Sequence, residues 1–152
     1  MIAQSDLAGK VEVSSAGIAC APGYGMSDEA KLVLSRRGLE NASPHISRPL
    51  RGTDVEAAQL ILTMTMSHKE MIVKKYSDAV GKVYTLREYG LLDGEDSDAR
   101  SLRLDYLEEL QPSLDIADPI GSGYDAYEMT ADQIEHACEL ALHRLRRELG
   151  KL

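Results

Sequence analysis

An α/β fold built on a parallel sheet is the class this sequence predicts, and three observations predict it. Short β-prone runs alternate with helix-patterned ones in the order strand, helix, strand, helix, strand, helix, which calls for right-handed crossovers between parallel strands. One strand run, Leu60-Ile61-Leu62-Thr63-Met64, is apolar without alternation, the pattern of a strand buried on both faces. The 152 residues, 43% hydrophobic and 28% charged, have the composition of an ordinary globular chain and form a single domain, 1–152, with no room for a second core.

The first strand is expected at residues 11–15, Val11-Glu12-Val13-Ser14-Ser15, whose alternation gives one better-buried face before Ala16-Gly17 ends it. A loop carrying Pro22, Gly23 and Gly25 leads to Ser27, an N-cap for a helix with Asp28 and Glu29 in its first turn, Ala30, Val33 and Leu34 at helical spacing, and Gly38 as its stop. Residues 39–52, with Pro44, Pro49 and Gly52, read as a connection that presents His45 and Ser47. One or two helical turns over 54–58 then lead into the strand at 60–64. Ser67 and Glu70 match a capping box that opens a helix through Met71, Ile72 and Tyr76, and Lys82-Val83-Tyr84-Thr85-Leu86 is the next strand.

Residues 90–99 are polar and acidic and predict a surface excursion, followed by a helix over about 100–110. After Pro112 comes Asp115-Ile116-Ala117-Asp118-Pro119-Ile120-Gly121-Ser122-Gly123, where Pro119 forces Asp118 towards an extended backbone and the small residues keep the loop open. Thr130 and Gln133 match a second capping box, opening a long terminal helix with the apolar stripe Ile134, Cys138, Ala141, Leu145 and Leu149. Arg144, Arg146, Arg147 and Lys151 lie at its C-terminal end, where the macrodipole favours cations.

Seventeen Lys+Arg against 25 Asp+Glu give a net charge of −8 and a pI near 5.0, the wrong sign for neutralising nucleic-acid phosphates. No apolar run approaches the ~20 residues of a membrane span, and no basic and apolar signal region opens the sequence. Neither nucleic acid nor membrane is therefore an expected partner, and the cytoplasm is the expected location. Two cysteines, Cys20 and Cys138, are too few for a disulfide scaffold or a four-ligand zinc site. His136 and His143 lie seven apart, not at ligand spacing, so no metal is expected. Nucleophile-elbow, P-loop and dinucleotide-binding glycine motifs are all missing from these residues.

Cys138 and Arg144 have the spacing of a cysteine phosphatase signature, but the glycine-free residues between them are strong helix formers. On a helix, six positions turn the arginine about a third of a turn away from the thiol. Cys138 is thus expected to be a packed core thiol, and Cys20, with Met26 at the matching place, is expected to be inert. The Asp118-Pro119 loop stands out instead, because a carboxylate on an open, glycine-bordered loop is placed for proton transfer.

Five segments together resemble the low-molecular-weight protein-tyrosine phosphatase family: residues 11–17; Gly38 with His45-Ile46-Ser47-Arg48-Pro49-Leu50; Leu60-Ile61-Leu62-Thr63-Met64-Thr65; Lys82-Val83-Tyr84-Thr85-Leu86-Arg87-Glu88-Tyr89; and Asp115-Ile116-Ala117-Asp118-Pro119-Ile120-Gly121. The likeness spans nearly the whole chain and is poor only from Asp93 to Pro112. It implies a flavodoxin-like three-layer fold with a parallel sheet. It also implies hydrolysis of a phosphomonoester on a phosphorylated protein, through a cysteinyl-phosphate and without a cofactor. Asp118 matches the general acid and base; Ile120 and Tyr124 resemble residues lining the substrate cleft; His45 matches a histidine supporting the phosphate loop.

The family's first strand and its cysteine and arginine phosphate loop have no counterpart in these residues, so the expectation is a domain incomplete at its N-terminus and inactive by itself. That strand lies between the strands matching 11–15 and 60–64, so two ladders would open, and low solubility or a homodimer through exposed strand edges is expected. A phosphatase whose true start lies upstream, a non-catalytic binding module, and an unrelated α/β protein are the competing readings. Within the first, the protein-arginine phosphatase and arsenate reductase branches are the alternatives to a tyrosine phosphatase. Thr85-Leu86-Arg87-Glu88-Tyr89, His68-Lys69 and the isoleucine after Asp118-Pro119 resemble the arginine branch.

Overall fold

The computed structural model describes residues 6–39, 45–91 and 114–150. Within them the order is α1 (Asp28–Arg36), α2 (Gly52–Ala57), β1 (Ile61–Thr63), α3 (Met66–Lys75), a 3-10 turn (Ser77–Lys82), β2 (Val83–Thr85), α4 (Leu86–Leu91) and α5 (Tyr124–Leu149). The strands β1 and β2 pair in parallel with Ile61 opposite Val83 and Thr63 opposite Thr85. Alternation along each strand sends successive side chains to opposite faces. Ile61 and Val83 join Val55, Ile72 and Ala79 beneath α2 and α3. Leu60 and Tyr84 face Leu86, Tyr89, Ile116, Ala137 and Ala141 from α4, α5 and the segment before the Asp118 loop. Helices therefore cover both faces of the sheet, giving the three layers of an α/β fold.

Local chemistry explains the helix starts. The Ser27 hydroxyl accepts the Ala30 N–H at 3.2 Å, as expected for α1. At α3 the cap is Thr65, two residues before the expected Ser67: its hydroxyl accepts the His68 N–H at 3.2 Å, while the Asp115 carboxylate takes the Met66 N–H at 2.7 Å. Two of the four orphan N–H groups of α3 are thereby satisfied, one from 49 residues away, and Ser67 is left inside the helix. A reciprocal capping box opens α4, where the Thr85 hydroxyl accepts the Glu88 N–H at 3.0 Å and Glu88 Oε2 accepts the Thr85 N–H at 2.9 Å. Helix α5 begins at Tyr124 after Gly123, not at the Thr130 capping box, because residues 124–129 are helix-compatible and Asp125 suits the first turn.

Three further expectations are corrected. Residues 11–15 form no strand; residues 12–16 are exposed, and among the described residues the pairing nearby is an isolated bridge between Gly17 and Pro49. A strand needs a neighbour, and among the described residues none lies beside this run. The run at 60–64 is not buried on both faces: Leu62 is 37% and Met64 40% exposed, because β1 carries a partner on one edge only among the described residues. Gly90 belongs to buried α4 rather than to a surface excursion, and a Cβ there would stand 2.7 Å from Leu140 Cβ, so glycine is what lets α4 and α5 touch. The remainder of the excursion and the helix at 100–110 lie outside the described residues.

Candidate functional site

The loop bearing Asp118 hangs between two fixed points. Upstream, Leu114 and Ile116 are buried, the Ile116 N–H donates to the Met64 carbonyl at 2.8 Å, and Asp115 caps α3. Residues 117–123 are then exposed apart from Pro119, which is half-buried. Asp118 Oδ1 accepts the Ile120 N–H at 3.0 Å and the Ser122 N–H donates to the Pro119 carbonyl at 3.0 Å, two tight turns in succession. Gly121 at φ +78° and Gly123 at φ +80° occupy the left-handed region that favours glycine. Ile120 is 73% exposed. The result is a carboxylate displayed to solvent on a short, turned loop, a placement suited to giving and taking a proton.

Downstream the loop ends at Tyr124, the first residue of α5. The Arg36 guanidinium stands 4.7 Å from the ring centre, and its Nη1 donates to the tyrosine oxygen at 2.8 Å. The tyrosine hydroxyl in turn donates to Glu128 Oε1. Glu128 Oε2 accepts from Arg37 Nη2 at 2.8 Å, and Arg37 also holds Asp132 at 2.6 Å and Glu135 at 2.8 Å. The Glu128 carboxylate and burial hold the Tyr124 phenol above its ordinary range. The hydrogen bond from Tyr124, with help from Arg37, holds the Glu128 carboxyl below its own.

His45 is exposed at the start of a segment that docks through its following residues. Ser47 Oγ donates to the Ala21 carbonyl at 2.7 Å and accepts the Tyr24 N–H at 3.0 Å, while Gly17 exchanges backbone bonds with Arg48 and Leu50. Asp118, Ile120 and Tyr124 thus share one loop, and His45 sits on another with no hydrogen bond to them among the described residues. Cys138 lies within α5, half-buried, with its thiol pushed up by burial; Cys20 donates weakly to the Gly17 carbonyl. Among the described residues no three His, Cys, Asp or Glu side chains gather so as to hold a metal ion.

The cluster of Arg36, Arg37, Glu128, Asp132 and Glu135 was not singled out by sequence reasoning. Its signal is present nonetheless: Tyr124, Glu128, Asp132 and Glu135 recur at helical spacing on one face, and two arginines close α1.

Comparison with known proteins places this geometry in context. The sequence model described as low molecular weight phosphotyrosine protein phosphatase matches residues 1–100. A protein-arginine-phosphatase from Geobacillus stearothermophilus is 33% identical over 138 residues, covering 91% of this chain and 79% of that one. A low molecular weight protein-tyrosine-phosphatase from Staphylococcus haemolyticus is 30% identical over 122 residues, covering 80% of this chain and 71% of its own. Among solved structures, the arginine phosphatase YwlE from Geobacillus stearothermophilus superposes with a TM-score of 0.72 at 31% identity, covering 92% of this chain and 77% of the other.

Proposed function

Since the chain belongs to the low molecular weight phosphotyrosine protein phosphatase family, we propose that it carries the acid–base and substrate-facing part of a protein phosphatase whose substrate is a phosphorylated arginine side chain. The observation that carries this reading is the exposed Asp118 loop held between two anchored ends. Asp118 protonates the leaving atom as the phosphoryl group passes to a cysteine thiolate, and then accepts the proton of the water that attacks the cysteinyl-phosphate. Ile120 and Tyr124 line the approach to it, and His45 supports the loop that cradles the phosphate. Arginine as the phosphorylated residue is supported by the name of the 33% identical relative. It is also supported by an aliphatic Ile120, not an aromatic side chain, next to Asp118-Pro119. A phosphoguanidinium breaks at P–N, and protonation of that nitrogen makes the guanidine a good leaving group, which suits a displayed acid.

Neither Cys138 nor Cys20 is placed as that thiolate. Cys138 is locked into α5 with its thiol pushed up by burial, and Cys20 has Met26 where an anion-binding arginine would be needed. The protein works in the cytoplasm and recognises phosphorylated proteins.

Two measurements on the protein from its natural source test this. It should release phosphate from a phosphoarginine peptide faster than from a phosphotyrosine peptide, and Asp118→Asn should lower kcat by ~10²–10⁴-fold. No release from either peptide, or full activity in Asp118→Asn, would overturn the reading. A preference for the phosphotyrosine peptide would keep the mechanism and change the substrate.

A further inference from the structure

The displayed acid has almost no burial of its own, so its position is set at the two ends of its loop. The upstream end is fixed by backbone and core: Ile116 is 2% exposed and bonded to Met64. At the downstream end local sequence provides nothing comparable, because the N-cap of α5 is Gly123, which has no side chain to cap the helix and sits at φ +80°. What holds that end is Tyr124. Its ring lies under the Arg36 guanidinium at 4.7 Å, and its hydroxyl accepts from Arg36 at 2.8 Å and donates to Glu128. Arg36 is the last residue of α1, 88 positions away in sequence, and the next residue, Arg37, reaches Glu128, Asp132 and Glu135 on successive turns of α5. Each phenolic bond is complete: the oxygen accepts one hydrogen and donates its own.

We propose that Arg36 and Tyr124 are positioning residues, a clamp from α1 onto the start of α5 that fixes where the loop presents Asp118. This rests on the assignment of Asp118 as the acid and changes the part given to Tyr124. One face of its ring is taken by Arg36, so the residue orients the acid as well as lining the approach to it. A ring that merely lined a cleft would work equally well as phenylalanine, whereas the clamp needs the hydroxyl.

The first test is 15N relaxation of the full protein, which reads the loop without any turnover. In Tyr124→Phe and Arg36→Ala the backbone order parameters of Ile120, Gly121 and Ser122 should fall from near the rigid value of about 0.85 to below about 0.6, with Ile116 unchanged. Arg36→Lys, which keeps the charge but not the planar fork, should lie between. Order parameters unchanged in both variants overturn the clamp.

The second test uses the phosphatase as its natural source makes it, with phenyl phosphate and p-nitrophenyl phosphate as probes. The poorer leaving group depends more on the acid. Tyr124→Phe should therefore lower kcat on phenyl phosphate by roughly fivefold, the worth of one hydrogen bond, with a smaller loss on p-nitrophenyl phosphate and no change in KM. Equal losses on both esters, or a change confined to KM, overturn the positioning role. Asp118→Asn separates the two claims: if it too acts equally on both esters, the acid assignment fails while the relaxation result still decides the clamp.

Discussion

Glu88 is a small carboxylate with an outsized share of the fold, and replacing it by alanine is the sharpest test of how β2 and α4 are joined. Its side chain is 11% exposed and that of Lys69, its ion-pair partner, 23%. Lys69 Nζ donates to both carboxylate oxygens, at 2.7 and 2.8 Å, and the buried Thr85 N–H donates to Oε2 at 2.9 Å. Removing one member of a buried pair costs ~3–5 kcal/mol. Lys69 retains enough exposure to swing its ammonium towards water, which places that part at about 2 kcal/mol or slightly more. The stranded Thr85 N–H adds about 1 kcal/mol. Glu88→Ala should therefore destabilise the chain by about 3 kcal/mol, lowering Tm by about 10 °C at this chain length. Urea unfolding should show a lower midpoint at an unchanged slope. The companion Lys69→Met should be less harmful in the Glu88→Ala background than alone, because the uncompensated charge is gone. A loss under about 1 kcal/mol for Glu88→Ala, or additive effects in the pair, would refute the reasoning.

Gly90→Ala should destabilise by about 1–3 kcal/mol in thermal melts despite alanine's better helix propensity, since its Cβ would meet Leu140 Cβ at 2.7 Å and the Ala141 backbone nitrogen at 3.2 Å. Ser27→Ala should cost about 1 kcal/mol by urea unfolding through loss of the α1 cap. Glu128 has a folded pKa below its ordinary 4.5, so its contribution is complete above that value and is lost as the pH falls through the folded pKa. Carboxyl NMR titration should find its midpoint below 4.5, among Tyr124, Arg36, Arg37 and Asp132, and Tyr124→Phe should move it upwards. Cys138, with its thiol pushed up by burial, should react with a disulfide reagent more slowly in the folded chain than in urea. Cys138→Ser should leave phosphatase activity intact.

What the sequence made legible was whatever is decided within a few residues. The Ser27 cap, the β-prone cores of both strands and the helical nature of Cys138 to Arg144 are local, and they stand where patterning put them. What it concealed is decided at a distance. The start of α3 is set by the Thr65 hydroxyl together with Asp115 from another part of the chain, so the local Ser67 signal lost to a pair of partners of which one lies 49 residues away. The run at 11–15 has the alternation of a strand, yet pairing is a property of two segments, and the second is not beside it among the described residues. In the candidate site, Asp118 was marked by proline and glycine chemistry that is purely local. The arginines that grip Tyr124 and Glu128 were not, because a contact across 88 residues leaves only a faint spacing on each helix.

The two apolar clusters on either side of the sheet differ in what closes them, and proteolysis would expose the difference. Ala137 and Ala141 of α5 belong to one cluster, together with Leu86, Tyr89 and Ile116, while Val55, Ile72, Ala79 and Val83 form the other from elements that all precede residue 92. Ser122, exposed between two left-handed glycines, is an inviting cleavage point. A cut there leaves α5 held by side chains alone, and its release would strip one face of the sheet while the opposite face kept its cover. Damage to this molecule is therefore lopsided: the half that bears the acid loop fails first, and the half under α2 and α3 is the last to lose its core.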